Sequence, residues 1–327
     1  MLHGLLIVGK RPAVLLVAAL FAAPASAAGE FPERMVKIVA PFEAGGTVDA
    51  AARLLAERLN VRWRVPVIVD NRPGAGNTVG AAAVARAAPD GYTLLFANTS
   101  ISVNPSLYRS LPYDTAKDLA PVVFLSASPN VLLAQNSLGV TTVPQLIALA
   151  KSRRQPMTYA SVGRGSFHHI SMEMFRIAAG LELLHVPYKG VAPAMLAFLR
   201  GDVDLYSSDL PGAIGPIGNG DVKPLATTGA RRPAVLPDVP TMAEAGLPGF
   251  AAAGYVGIMT TGGTPAEVIS KLNAAITEVI REPDLAAYFA AQGYEMTGGT
   301  AEEFAAFIRE DTARYARVIQ TIGGAIE

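Results

Sequence analysis

The residues best suited to chemistry lie in short runs of Gly, Ser, Thr and Asn that follow apolar segments. "PFEAGGTVD", residues 41–49, sets Gly45 and Gly46 just ahead of a run with helical apolar spacing. Glycine lets backbone approach a ligand closely. A helix start carries unpaired N–H groups and about half a positive charge, so this loop suits a carboxylate. Thr47 either caps the helix or donates its hydroxyl to the ligand, and Asp49 either complements the helix dipole or contacts the ligand. Phe42 offers an aromatic wall or an ordinary core side chain. The plainer alternative for the loop is a turn in which glycine serves geometry alone.

"YASVGRGSFHH", residues 159–169, repeats that logic further along. Gly163 and Gly165 flank Arg164, Ser161 and Ser166 bring hydroxyls, and His169 follows in the first helical turn. A dinucleotide fingerprint needs glycine at position 168, where His168 stands, and no Gly-Lys-Ser or Gly-Lys-Thr phosphate loop occurs anywhere. Adjacent His168 and His169 cannot share one helical face as zinc ligands do, so a packing or hydrogen-bonding role is expected for both. Three further clusters follow the same pattern: Tyr188 and Lys189 in "HVPYKGVAP", Asn98, Thr99 and Ser100 in "ANTS", and Ser207 and Asp209 in "YSSDL". Each is also compatible with ordinary turn or surface chemistry. All of these are expected to bind ligand. No catalytic residue, metal site or cofactor is expected. An exported serine hydrolase built on Ser166 and His169 is the rival from another class. It lacks a Gly-x-Ser-x-Gly elbow, and a serine before a helix is accounted for by capping.

The elements that position these loops alternate. Short β-branched runs at 35–41, 65–70 and 92–98 read as strands, with helices at 48–59 and 79–88 between them. Strand–helix–strand–helix–strand over this length predicts a parallel sheet with right-handed crossovers. A second set follows. The apolar stretch 122–135 is interrupted by Pro129, and a helix capped by Thr142 leads to strands at 157–161 and 183–188. Helices are expected over 167–179 and 191–200, then strands at 203–208 and 223–229. Beyond the Pro-rich segment 231–250 come a strand at 253–261 and two amphipathic helices near 265–281 and 301–321. The fold class is α/β, and its loops at the carboxyl ends of parallel strands are where ligands of open sheets sit.

Composition narrows the classes. The 327 residues are 51% hydrophobic with no cysteine, which excludes a disordered chain, a disulfide scaffold, zinc–thiolate and iron–sulfur sites. Lys plus Arg and Asp plus Glu both number 27, so no global basic field exists for nucleic acid. Lys10 and Arg11 precede an apolar run at 12–23 and the small residues Ala25 and Ala27, the pattern of a secretory leader cleaved near Ala27. Cleavage removes two cations and no acid, leaving a net charge of −2. No later stretch is long and apolar enough for stable membrane insertion. A periplasmic monomer is expected.

Taken in order, "VKIVAPFEAGGTVDAAARLLAERL", "VPVIVDNRPGAGNTVGAAAVARAAPDGYTLLF", "YASVGRGSFHHISMEMF", "HVPYKGVAPAM" and "LATTGARRPAVLPDVPTMAEAGLPGF" resemble the Bordetella uptake gene family. These are periplasmic solute receptors of the tripartite tricarboxylate transporter class. The resemblance implies a type II periplasmic binding protein fold, two α/β lobes joined by crossing strands. We expect lobe 1 from residues 28–127 with 253–327, and lobe 2 from 128–252. It also implies that "PFEAGGTVD" and "YASVGRGS" hold a ligand carboxylate through backbone amides and bridging waters. The implied partners are a small organic mono-, di- or tricarboxylate and inner-membrane transporter subunits, or alternatively a membrane signalling protein that reads the bound ligand. Glu43 and Ala44 stand where prolines are common in the family, and Glu43 adds a carboxylate beside the expected anion site. "GGTP" near Gly262 and "SSDLPGAIGPIGNG" also depart from the family pattern.

Overall fold

The computed structural model describes residues 31–291 and 293–321 together with Met1 and Gly4. The leader read over residues 1–27, those two positions aside, lies outside the described residues. The strands are β1 (Val36–Ala40), β2 (Val67–Asn71), β3 (Thr93–Asn98), β4 (Leu119–Ser128), β5 (Asn130–Ala134), β6 (Met157–Ser161), β7 (Leu183–Pro187), β8 (Leu205–Asp209), β9 (Lys223–Thr227), β10 (Gly254–Thr261) and β11 (Glu295–Met296). The helices are α1 (Thr47–Trp63), α2 (Thr78–Ala85), α3 (Ser100–Leu107), α4 (Thr115–Asp118), α5 (Val143–Ser152), α6 (Phe167–Ala179), α7 (Val191–Arg200), α8 (Leu210–Gly218), α9 (Ala266–Ile280), α10 (Pro283–Ala291) and α11 (Ala301–Thr321).

Two sheets result. The first is six-stranded in the order β11-β4-β10-β3-β1-β2, and the second five-stranded in the order β7-β6-β8-β5-β9. The parallel triplets β2-β1-β3 and β7-β6-β8 are the expected strand–helix–strand units. Antiparallel β4, β5, β9 and β10 make both sheets mixed. Val36, Ile38 and Ala40 face one apolar layer and Val39 the opposite one, which is why β1 is apolar almost throughout. On the first sheet, α1, α9 and α10 cover one side, while α2 and α11 cover the other. On the second sheet, α5 and α6 lie on one side and residues of α7 and α8 on the other. Each lobe is thus a helix–sheet–helix sandwich around its own core.

The apolar stretch 122–135 is two strands in two different sheets. Pro129 interrupts the ladder, and there the chain passes from the first sheet to the second. It returns between β9 and β10. The crossings are tied to each other: the Asn130 amide donates to Thr228 Oγ1 at 2.9 Å, and the Thr228 amide to the Asn130 carbonyl at 2.9 Å. Thr228 Oγ1 in turn donates to the Ala252 carbonyl at 2.8 Å. All three residues are buried, so the junction is a specific hydrogen-bonded crossing. A third link is α11, which packs on β4 while its Tyr315 and Ile319 enter the second lobe's core beside Val103 and Leu107 of α3.

The helices over 167–179, 191–200 and 301–321 run between the expected residues. Helix α1 extends to Trp63, four residues past expectation, and closes on Arg64 in the left-handed region at φ 56°. Four helices, α3, α4, α8 and α10, and the short β11 were not anticipated. Helices α3 and α8 carry an internal proline, Pro105 and Pro216, and α8 is also rich in glycine. These are weak helix formers, held by burial rather than propensity.

Candidate functional site

The β1–α1 loop is built around one buried carboxylate. Asp49, only 2% exposed, accepts from the Gly45 amide at 2.9 Å, from Arg53 Nε at 2.9 Å and from Asn71 Nδ2 at 2.8 Å. Burial alone raises its pKa, but hydrogen bonds from Arg53, Gly45 and Asn71 outweigh that and hold it below the ordinary value. Asn71 also donates to the Phe42 carbonyl at 3.2 Å, so one side chain at the end of β2 fixes both ends of the loop. Gly45 takes φ 87°, a value that favours glycine. Gly46 precedes α1, Thr47 is that helix's first residue, and Phe42 joins the apolar layer beneath. Gly45 and Gly46 are exposed and line a cavity of about 180 Å³ with Ala50, Ala51, Tyr288, Phe289 and Tyr294.

The β6–α6 loop is braced by neutral groups. The buried Ser161 hydroxyl lies 2.6 Å from His185 Nε2 and accepts from the Gly163 amide at 3.0 Å. His169 Nδ1 accepts from the Gly165 amide at 3.3 Å, which places this imidazole's proton on Nε2. Ser166 caps α6: its hydroxyl accepts from the His169 amide at 3.3 Å and donates to the Gly163 carbonyl at 2.7 Å. The two imidazoles lie 4.3 Å apart and tilted to each other, with Tyr159 stacked 5.0 Å from His185. Beneath them Tyr159 donates to Glu173 at 2.7 Å, and Glu173 pairs with Arg176 at 2.8 Å. Burial pushes His169 down to about 4 and His185 to about 3, and the nearby Arg164 charge acts in the same direction. Both rings are neutral at pH 7. Gly165, at φ 76°, sits so close to α3 that a Cβ there would meet Leu107 Cδ2 at 2.0 Å. The second lobe's loop therefore rests directly on a helix of the first.

The remaining sequence-predicted residues divide. Asn98 Oδ1 accepts from the Ser100 amide at 3.1 Å and its hydroxyl at 2.5 Å, and Thr99 Oγ1 accepts from the Tyr255 amide at 2.9 Å. Ser207 bonds Ser171 at 2.7 Å and Asn130 at 3.2 Å. Those polar atoms brace the ends of β3 and β8. The Tyr188 amide donates to the Ser161 carbonyl at 2.8 Å and its ring packs on the second lobe's core, whereas Lys189 is exposed. Asp209 stands at the N-cap position of α8 without a side-chain capping bond, and loss of surrounding water pushes its carboxyl up to about 6. It lies close to Tyr294 of the first lobe, whose phenol is raised by burial and then by the Asp209 charge. Among the described residues no hydrogen bond joins the two glycine loops directly. The β6–α6 loop instead rests on Leu107 of α3, and the α10–β11 turn at Gly293 comes up against Leu210 of α8.

Sequence reading missed Tyr288, Phe289 and Tyr294, which wall the cavity, and Asn71 and His185, which hold the loops. The aromatic residues lie far downstream in the chain, and only the pairing of β11 with β4 and the packing of α10 bring them beside α1. Asn71 ends β2, an ordinary position for a turn residue, and carries no local signal of its role. Ser166 and His169 do not form a nucleophile–base pair: the serine contacts the histidine's backbone amide, and the imidazole takes a different proton. No group of three or more His, Cys, Asp and Glu side chains that could hold a metal occurs among the described residues.

Two α/β lobes, a bonded double crossing and glycine loops at helix starts define the class of extracytoplasmic solute-binding receptors. The family model of the tripartite tricarboxylate transporter family receptor matches residues 51–324, and the chain belongs to that family. It is 34% identical to protein BugT of Bordetella pertussis over 316 residues, 96% of this chain and 97% of that one. It is 36% identical to a UPF0065 protein of Bordetella bronchiseptica over 322 residues, 98% and 95% of the two chains. Among solved structures, Rpa4515 of R. palustris with adipate superposes with a TM-score of 0.85 at 34% identity, covering 91% of this chain and 100% of that one. The periplasmic binding protein BugD gives 0.82 at 32% identity over 90% and 99% of the chains. MatC of Rhodopseudomonas palustris with bound malate gives 0.78 at 29% identity over 88% and 99%. These relatives are receptors, not enzymes, and the chain is a receptor of their kind. No helix among the described residues is long and apolar enough to cross a membrane.

Proposed function

We propose that the mature chain, exported and cleaved near Ala27, captures a small organic carboxylate and delivers it to inner-membrane transport subunits. Lobe 1 would comprise residues 28–127 and 253–327, and lobe 2 residues 128–252. The observation that carries this reading is the matched pair of loops, each glycine-rich, each ending a parallel strand, each opening a helix of ten residues or more. Amides held in this way are fixed donors that need little reorganisation to receive an anion. Binding at both loops draws the lobes together about the Asn130–Thr228–Ala252 crossing. The polar side chains of Asp49, Asn98, Thr99, Ser161, Ser166 and Ser207 then act mainly as braces, and backbone meets the ligand. Relatives solved with adipate and malate support the carboxylate class.

A ligand that binds only the folded state raises the melting point in proportion to ln(1 + [L]/Kd). The test is a thermal-shift screen of the mature protein against mono-, di- and tricarboxylates, aromatic acids, acidic amino acids and neutral sugars. Carboxylates are expected to raise the melting point. A response to sugars with none to any carboxylate overturns the reading.

A further inference from the structure

The cavity beside Gly45 and Gly46 is larger and more aromatic than a carboxylate group needs. Its outer wall is Tyr288 and Phe289 of α10 with Tyr294 ahead of β11, and its inner wall is Ala50 and Ala51 on the first turn of α1. At about 180 Å³ it exceeds the roughly 150 Å³ cavity known to hold a benzene ring. Its floor continues into apolar side chains, Val48, Phe96 and Val256, with a further void of about 10 Å³ among them. The small residues at 50 and 51 leave this room open, since a larger side chain on that face of α1 would occupy it.

The lining of the cavity also carries no carboxylate, lysine or arginine. Asp209 stands near Tyr294 from the second lobe, and Leu210 beside it comes so close to the α10–β11 turn that a Cβ on Gly293 would meet Leu210 Cβ at 2.8 Å. Glu43 is exposed in the glycine loop itself. A second carboxylate entering here would lose water, with no lysine or arginine in the lining to pair it. An apolar tail meets none of these costs and gains by leaving water.

We propose that this cavity is a tail subsite, which makes the ligand a monocarboxylate carrying an aryl ring or a short alkyl chain rather than a di- or tricarboxylate. The proposal rests on the receptor reading above and names its substrate class. Gly45 and Gly46 belong to both parts of the site: they face the carboxylate as a helix start and the tail as a cavity wall.

Isothermal titration of the mature protein at pH 7.5 with acetate, hexanoate, phenylacetate and adipate tests it. Burial of the roughly six carbons that phenylacetate adds to acetate, and the roughly four that hexanoate adds, predicts both at least tenfold tighter than acetate, and also tighter than adipate. Ala50→Phe fills the cavity from an exposed helix position and Tyr288→Ala removes its outer wall. Each is expected to shrink the phenylacetate-to-acetate ratio at least threefold. Circular dichroism identifies a variant that fails to fold, and the other then decides. Phenylacetate no tighter than acetate, adipate tightest of the four, or a ratio unmoved in the folded variants overturns the tail subsite while leaving the receptor reading intact. Binding of none of the four, with none in the wider carboxylate screen, removes the receptor reading and the subsite together.

Discussion

The two glycine loops solve the same problem with opposite electrostatics. In the first lobe a buried carboxylate, ion-paired to Arg53, gathers the Gly45 amide and Asn71. In the second, neutral imidazoles and a serine hydroxyl hold Gly163 and Gly165, and the loop is pressed against α3 of the other lobe. The first loop is exposed, lies next to open space and is braced by charge. The second is braced by neutral hydrogen bonds and packing, and the charged pair Glu173 and Arg176 stands one layer away. Shape and neutral hydrogen bonds therefore hold the second loop, whereas ionic pairing holds the first.

The largest expected effect breaks the packed loop. Gly165→Val places a β-branched side chain at φ 76° and drives its Cβ into Leu107, which should cost about 3 kcal/mol or more. Urea unfolding is expected to show that loss, and carboxylate binding to be lost with it. By contrast Gly163→Ala, with nothing within 4 Å of the added Cβ, pays only the backbone cost of φ 117° and should be milder.

Next in size is the charge-braced loop. Asp49→Ala leaves the Gly45 amide and the Asn71 side chain without their acceptor, an expected loss of about 2 kcal/mol. Because half-exposed Arg53 regains water, little of that comes from the ion pair itself. The contrast with the first variant is in binding: affinity should weaken tenfold or more at the first loop even where the protein stays folded.

pH separates the loops most cleanly. His168, His169 and His185 all have folded pKa values below the ordinary 6.5, near 4, 4 and 3. The unfolded chain takes up these protons before the folded chain does, so stability is full above about pH 6.5 and is lost as pH falls toward 4. Denaturant unfolding across that window is expected to show the loss. His185→Gln, which keeps a donor for Ser161, should flatten the slope. Asp49 has a lowered pKa, so its stabilisation persists until pH falls below the ordinary carboxylate range. A slope unchanged by His185→Gln would place the titration elsewhere.

The smallest effect has the opposite sign. Asp209, raised to about 6, binds its proton more readily in the folded state, so it costs stability as pH rises from about 4 to 6. Asp209→Asn is expected to gain stability at pH 7.5 and almost none at pH 4, measured as the difference between the two unfolding curves.

Legibility in the sequence follows the same division. Helices α6, α7 and α11 were readable to the residue because each is amphipathic and bounded by clear signals: Ser166 before α6, and Gly180 and Gly201 after α6 and α7 in the left-handed region. Helices α3 and α8 were not, because Pro105, Pro216 and the α8 glycines argue against a helix, and tertiary burial overrides them. The glycine loops stood out through composition. Their braces did not, since Asn71 and His185 act from neighbouring strands that only the parallel pairing of β1 with β2 and β6 with β7 sets alongside. The division of 122–135 between two sheets had only Pro129 as its mark.

The central claim is that backbone amides from both lobes hold one anion together. Amide NMR of the mature protein, titrated with the tightest carboxylate from the screen, tests it directly. The amides of 45–47 and of 163–166 are expected to shift together with a single midpoint. Shifts confined to one loop, or two loops titrating at different ligand concentrations, would contradict a shared clamp.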